Sequence, residues 1–441
     1  MTVSMITLIV LFSFFTLLML GLPVAFCLIA TSVVSIIAFW NPTALYAAAT
    51  TIYTQSTKDI FLAIPLFVFL ATVLEQSGIA ESLFDMSYKW IGRLRGGLSV
   101  GSVFMCTIMD AISGLGASGI VTVGPIALPE MFKRQYDKRL ATGCIAAGSA
   151  LGPLIPPSVI MIIIAGFTGL SVGRLFAAGL FPGLLCAAGF AVYILIICAF
   201  KPQLGPGLPK NLEITWRQKF VSLRAVILPV LLIVAVMGTI YSGICTPTEG
   251  AAIGAFGALI CAAINRKLTI RNIYQASQAS IKITCMVMWL LIGGSLFASL
   301  LNALGIQRAL AELLSSIQSD FGSSAMLGVI MLIVFIMGMF IDGAAITVLT
   351  MPVFFPVVIQ AGIEPIWFAT LFTINIIIGY MTPPFGMNLF YTKGISPPEV
   401  TMADIYKSIF PFVGVALLTL LFVFYFPEIA TWFPDKIMGA E

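Results

Sequence analysis

The chain has 441 residues, of which 60% are hydrophobic and 9% charged, with a formal net charge of +4 and a mean hydropathy of +1.09. A water-soluble domain does not carry so few charges, so the solvent is lipid, and the small positive balance says nothing about nucleic acid. Histidine is absent and the eight cysteines lack CxxC spacing, which removes imidazole relays and favours packing over disulfides or a metal cluster.

The N-terminal MTVSMITLIVLF has no basic residue before its apolar run and no small-residue cleavage site, so it reads as a retained span. Apolar segments follow one another at 4–21, 24–40, 60–77, 98–132, 140–167 and 175–200. A polar stretch, 201–224, then contains KPQLGPGLPKNLE and reads as a linker. The second series runs 225–241, 250–264, 283–301, 325–359, 366–391 and 409–426. Residues 79–93 and 306–319 read as amphipathic helices near the interface.

The two series are copies. One shift of 227 residues lays Gly78, Gly116, Pro125, Pro129, Gly152, Pro156 and Pro157 onto Gly305, Gly343, Pro352, Pro356, Gly379, Pro383 and Pro384. With 24 prolines in 441 residues, roughly 0.24 proline pairs should coincide by chance over about 80 positions, and four do. The chain therefore divides into a first repeat, 1–200, and a second, 225–441.

In each copy the fourth segment is interrupted at its middle, by SGLGASG at 113–119 and by DGA at 342–344. Each flank is shorter than about 20 residues, and at about 1.5 Å per residue it barely reaches across a hydrocarbon core of roughly 30 Å. Re-entrant helical hairpins at 98–132 and 325–359 are expected. The fifth segments, 140–167 and 366–391, carry GPLIPP and GYMTPP, where proline removes a donor and clashes with the preceding turn, so both should be broken helices.

Three helices, a returning hairpin and two more helices give an odd number of crossings, so the copies have inverted topology. With the linker in the cytoplasm, 18 of 22 Lys and Arg fall on that side and only Lys58, Arg174, Arg308 and Lys436 lie outside. Both termini are then periplasmic. The expected fold is an all-α polytopic membrane protein of two inverted repeats, as in secondary transporters whose binding sites lie at paired helix breaks.

Non-helical backbone at this depth must be enclosed or line a polar cavity, and half-helix ends can hold cations by carbonyls and anions by N–H groups. Glycines let backbone approach closely, Ser113 and Ser118 supply hydroxyls, and Thr382 and Asn388 add neutral oxygens. Asp342 reads as a sodium ligand, as a charge at the hairpin tip, or as the cap of the following helix. Leu115 is its counterpart, so the two cation sites should be chemically unequal. Asp110, Glu130 and Glu249 lie near segment ends, where water or a cap can satisfy them.

At SGLGASGIVTVGPIALPEM, GPLIPPSVIMIIIAG, TPTEGAAIGA, GMFIDGAAITVLTMPVFFP and GYMTPPFGMNLF the sequence resembles the large membrane subunit of tripartite ATP-independent periplasmic (TRAP) transporters, over nearly its whole length. The resemblance implies an elevator-type ion-transporter fold and sodium-coupled uptake of an organic acid such as sialic acid or a C4-dicarboxylate. It implies sodium as coupling ion without other cofactors, a separate small four-helix membrane subunit, a periplasmic substrate-binding protein, and the bacterial inner membrane. By position, Ser113, Gly116, Ser118, Gly152 and Pro156 would form one sodium site, and Asp342, Ala345, Gly379, Thr382 and Pro384 the other. Ser158 and Asn388 are assigned to the substrate. A self-sufficient divalent-anion/sodium symporter of related architecture is the alternative. No Walker motif or GxSxG is present, which speaks against an ATP-driven pump or a serine hydrolase.

Overall fold

A computed structural model describes residues 3–39, 43–114, 116–207 and 215–439; Leu115 and linker residues 208–214 lie outside them. The described residues are helical throughout, with no strand. Six helices among them are long and apolar enough to cross a membrane.

The first copy comprises α1 (Val3–Met19), α2 (Val24–Phe39), α3 (Ala44–Ser56), α4 (Ala63–Gln76), α5 (Ile79–Ile91), α6 (Gly97–Ser113), α7 (Ser118–Lys133), α8 (Lys138–Ala150), α9 (Val159–Thr168) and α10 (Val172–Phe200). The second comprises α11 (Trp216–Tyr241), α12 (Pro247–Ile264), α13 (Ile270–Ala303), α14 (Ile306–Phe321), α15 (Ser323–Gly338), α16 (Gly343–Gln360), α17 (Pro365–Met381), α18 (Met387–Ile395), α19 (Met402–Tyr425) and the terminal α20 (Glu428–Met438).

The interrupted segments take the expected form. The first hairpin is α6–α7, the second α15–α16, and the broken helices are α8–α9 and α17–α18. The 227-residue shift survives in local geometry: Gly78 and Gly305 are both left-handed, at φ +78° and +72°, and each starts the amphipathic helix that precedes a hairpin. Both Pro156–Pro157 and Pro383–Pro384 are cis.

Besides the terminal α20, which follows the last expected segment, three elements differ from the sequence expectation. Residues 44–56 form α3, whose ALYAAATTIYTQS lacks a continuous apolar run. Together α3 and α4, residues 44–76, correspond under the shift to 271–303, which is α13, so the interruption at Thr57–Lys58 has no counterpart in the second copy. Helix α13 begins at Ile270 rather than near 283, because its first turns, IRNIYQASQASIK, are polar and continue past the apolar stretch. The end of the linker is also helical: α11 starts at Trp216 behind a Thr215–Gln218 capping box.

Capping explains several acids. Glu249 closes a box with Thr246 at the start of α12, and Asp404 closes one with Thr401 at α19. Glu130 pairs with Lys133 at 2.9 Å and with Arg134 at 3.7 Å. Ion pairs between the copies join residues expected on one and the same side: Lys138 meets Asp404 at 2.6 Å, three residues before Lys407, whereas Arg174 meets Asp435 at 2.7 Å, beside Lys436.

Small residues let the helices of the interrupted segments approach. A Cβ on Gly148 of α8 would lie 2.8 Å from the Val103 Cα of α6, and one on Gly379 of α17 would lie 2.7 Å from the Gly338 Cα of α15. Gly148→Val should therefore lower the melting temperature of the purified protein, by an overpacking cost of about 1–3 kcal/mol. Gly414→Ala, in α19 with open space around it, should leave it unchanged or raise it.

Candidate functional site

All four helix breaks border one cavity of about 210 Å³. Ala117 comes from the first hairpin tip, Val159 and Ile160 from the start of α9, Asp342 and Ala344 from the second tip, and Tyr380, Met387 and Asn388 from either side of the α17–α18 break. Tyr391 and the α13 residues Ile283, Met286 and Val287 complete the wall.

Backbone bonds join each hairpin tip to the neighbouring broken helix. Val159 N–H donates to the Gly114 carbonyl at 3.3 Å, and Gly386 N–H, its counterpart 227 residues on, donates to the Met339 carbonyl at 3.1 Å. Glycine is needed at the first tip: Gly114 and Gly116 are left-handed, at φ +69° and +74°, and a Cβ on Gly114 would lie 2.8 Å from the Pro157 carbonyl oxygen.

Asp110 sits at the centre of the first half-site. Of the two expectations for it, water or a cap, the second fits: it is fully buried in the last turn of α6 and takes an N–H from the first turn of α7. Its Oδ1 accepts from Gly119 N–H at 3.0 Å and its Oδ2 accepts from the Ser149 hydroxyl at 2.5 Å. The same hydroxyl lies 3.2 Å from the Gly116 carbonyl oxygen. Room for the carboxylate comes from the missing side chain at Gly119, where a Cβ would collide with Oδ2; a Cβ on Gly152 would lie 2.7 Å from the Gly116 N and 2.8 Å from the Asp110 Cβ. Ser113, Gly116 and Gly152 thus gather around Asp110.

Ser118 and Pro156 face elsewhere. The Ser118 hydroxyl donates to the carboxylate of Glu75, at the end of α4, and Pro156 borders an apolar groove outside the cavity. Ser158 is buried as the N-cap of α9, its hydroxyl donating to the Pro153 carbonyl at 2.6 Å and accepting from Met161 N–H at 3.3 Å. Its neighbours Val159 and Ile160 line the cavity.

In the second half-site Asp342 is the N-cap of α16, its Oδ2 accepting from Ala344 N–H at 2.9 Å. Its other oxygen accepts from the Tyr380 hydroxyl at 3.2 Å, and that hydroxyl in turn accepts from Gly343 N–H at 3.0 Å. The carboxylate still borders the cavity, so capping and facing a ligand are compatible. Ala345 is buried behind it, and the Thr382 hydroxyl donates to the Ile378 carbonyl one turn back. The Pro384 carbonyl accepts from Tyr406 of α19 at 2.5 Å. Asn388 lines the cavity while donating to the Ala146 carbonyl of α8 at 3.1 Å, which ties the copies together.

Sequence reasoning missed Glu75, Ser149 and Tyr380. Glu75 ends an apolar run, where a charge reads as a span boundary, and Ser149 is one small residue among many. Tyr380 stands inside the GYMTPP motif, beside the prolines that drew notice. Among the described residues no cluster of three or more Cys, Asp or Glu could hold a metal, so a cation here would rely chiefly on carbonyls and hydroxyls, with at most two carboxylates.

Residues 11–429 match the family model of the tripartite ATP-independent periplasmic transporter, DctM component. The chain is 31% identical to the C4-dicarboxylate TRAP transporter large permease protein DctM of Vibrio cholerae, over 96% of each chain. It is 30% identical to the ectoine TRAP transporter large permease protein TeaC of Halomonas elongata, over 95% of this chain and 96% of that one. In fold it resembles the crystal structure of the Alcanivorax borkumensis YdaH transporter, with a TM-score of 0.59, 12% identity, and coverage of 88% of this chain and 91% of that one.

Removing the Ser149 hydroxyl leaves one oxygen of a buried carboxylate unpaired, at a cost of about 1–3 kcal/mol. Ser149→Ala should lower the melting temperature, while Ser149→Thr, which keeps the hydroxyl, should lower it less; equal losses would show that packing alone matters there.

Proposed function

The chain belongs to the DctM component family of the tripartite ATP-independent periplasmic transporters, and from that premise we propose that it is the large transmembrane subunit of a sodium-coupled importer of an organic acid anion. The observation that carries this reading is the single cavity bordered by all four helix breaks. Cargo sits there against Asn388, Tyr380 and Tyr391, with the N-terminal ends of α9 and α16 close by. Ser158 acts by fixing the start of α9.

Electrostatics argues for sodium. No Lys or Arg occurs between Arg95 and Lys133, between Arg139 and Arg174, or between Arg308 and Lys393, so the interrupted segments offer a carboxylate no cationic side chain. An unpaired carboxylate at bilayer depth costs several kcal/mol, and helix dipoles of about half a charge offset only part of that. Bound cations supply the rest. One is held by carbonyls around Ser113, Gly116 and Gly152, without the Ser118 hydroxyl that Glu75 engages, and the other by Asp342 and backbone at Ala345, Gly379, Thr382 and Pro384. Binding of cargo and sodium is then mutually dependent, which is the basis of coupling.

The hairpins and broken helices move together as an elevator against α3–α4, α11–α12 and α13. Two polar contacts break in that motion: Ser118 with Glu75, and Lys58 with the Gly166 carbonyl at 2.5 Å. A small four-helix subunit braces the static part, and a periplasmic binding protein delivers cargo to the outer face of the bacterial inner membrane, where both termini lie. Relatives of near-equal identity are named for a C4-dicarboxylate and for ectoine, so cargo choice rests on few cavity residues and on the binding protein.

Uptake into proteoliposomes holding this chain and its small subunit should require both sodium and the binding protein. Uptake that persists in potassium defeats sodium coupling, and uptake by this chain alone favours a self-sufficient symporter. Asp342→Asn keeps an N-cap acceptor while removing the charge. It should lower the melting temperature by no more than the lost Tyr380 hydrogen bond, about 0.5–1.5 kcal/mol, and raise the half-saturating sodium concentration about tenfold, equivalent to about 1.4 kcal/mol. A variant with unchanged sodium response would reduce Asp342 to a cap.

A further inference from the structure

A second, larger space lies outside the cavity. Helices α5, α6, α10 and α11 enclose a groove of about 790 Å³. Along α11 it runs from Leu223 to Tyr241, a rise of about 27 Å at 1.5 Å per residue, which nearly matches the hydrocarbon thickness of a bilayer. Its inner wall reaches Ile155 and Pro156 at the α8–α9 break.

The two ends differ. At the Leu223 end, Trp90 borders the groove and its indole N–H donates to the Lys219 carbonyl at 3.2 Å. The Lys219 ammonium lies 4.8 Å from the ring centre of Trp216 and 5.8 Å from that of Trp90. Trp216 is 67% exposed, and Lys219 pairs with no carboxylate among the described residues. Indoles around an unpaired cation at the end of an apolar channel match the headgroup level of a membrane, where basic pockets between helices hold anionic lipid.

We infer that this groove is a binding site for an acidic phospholipid, with an acyl chain along α11 and the phosphate at Lys219 between Trp90 and Trp216. A membrane helix is the poorer occupant. Close helix packing needs small residues, and the wall is built of bulky ones such as Trp90, Phe104, Ile108 and Met237, with Gly238 and Ala111 as exceptions. A flexible methylene chain can follow that relief. Such a lipid separates α11 from the break at Pro156, so it lies between the static and interrupted elements. The inference depends on the membrane setting and not on the cargo, so its failure leaves the transport reading standing.

The test uses the full chain, delipidated in detergent, with phosphatidylglycerol or phosphatidylcholine added back. Phosphatidylglycerol should raise the melting temperature more than phosphatidylcholine does. Lys219→Gln should weaken its apparent affinity about fivefold, the effect of one basic side chain near an anionic surface. Lys219→Arg should restore it. Phosphatidylglycerol with a photoreactive acyl chain should label peptides of α11 and α6 in wild type, and Val230→Trp, which fills the groove, should abolish that labelling. Equal stabilisation by both lipids, labelling spread evenly over all lipid-facing helices, or displacement of the label by the small membrane subunit would each overturn the proposal.

Discussion

An N–H or carbonyl group at bilayer depth must find its partner within the protein, because lipid offers none. That constraint organises this structure. Four interruptions place freed peptide groups at mid-membrane, and each is enclosed by another: the start of α9 bonds to the first hairpin tip, and the start of α18 region bonds to the second through Gly386 and Met339. The breaks are stable because they are together. A single interrupted helix facing lipid would carry its loss alone; four around one cavity share partners and leave a polar pocket at their junction.

The two copies meet this constraint by different chemistry. In the second, an acid at the tip caps α16 and takes a tyrosine hydroxyl. In the first, the acid stands on α6 and is held from behind by Gly119 and Ser149. Duplication preserved the backbone, down to the left-handed glycines at 78 and 305, while the side chains that complete each half diverged. The interruption between α3 and α4, replaced by the continuous α13 in the second copy, extends the same asymmetry to the surrounding helices.

Much of the fold was legible because its causes are local. Glycine and proline at matched positions mark places where a helix cannot continue, and apolar run length tells a span from half of one. The position of the hairpins, the broken helices and the two amphipathic connectors follows from those rules. The candidate site was less legible, because its partnerships are made across the fold. Nothing in the sequence around Glu75 announces that it meets Ser118, 43 residues away. Ser149 gains significance only where α8 crosses α6. For Asp110 the sequence leaves water and a cap both open, and only the hairpin folding back over it selects the N–H of Gly119. Ser158 shows the converse: it stands in the conspicuous motif, yet its hydroxyl serves the helix it begins.

The burial of Asp110 has a consequence for how this sequence can drift. Its carboxylate occupies volume that any side chain at 119 would claim, and its Cβ with the Gly116 backbone fills the space at 152, so these positions behave as one inherited unit. A lineage that gains even a methyl group at either glycine must move backbone as well as the acid, because Cys106 crowds position 119 and Gly116 crowds position 152. Relatives should accordingly fall into discrete classes at these positions, with mixed combinations rare, and the class boundary would record a rearrangement of the first half-site that no single substitution can cross.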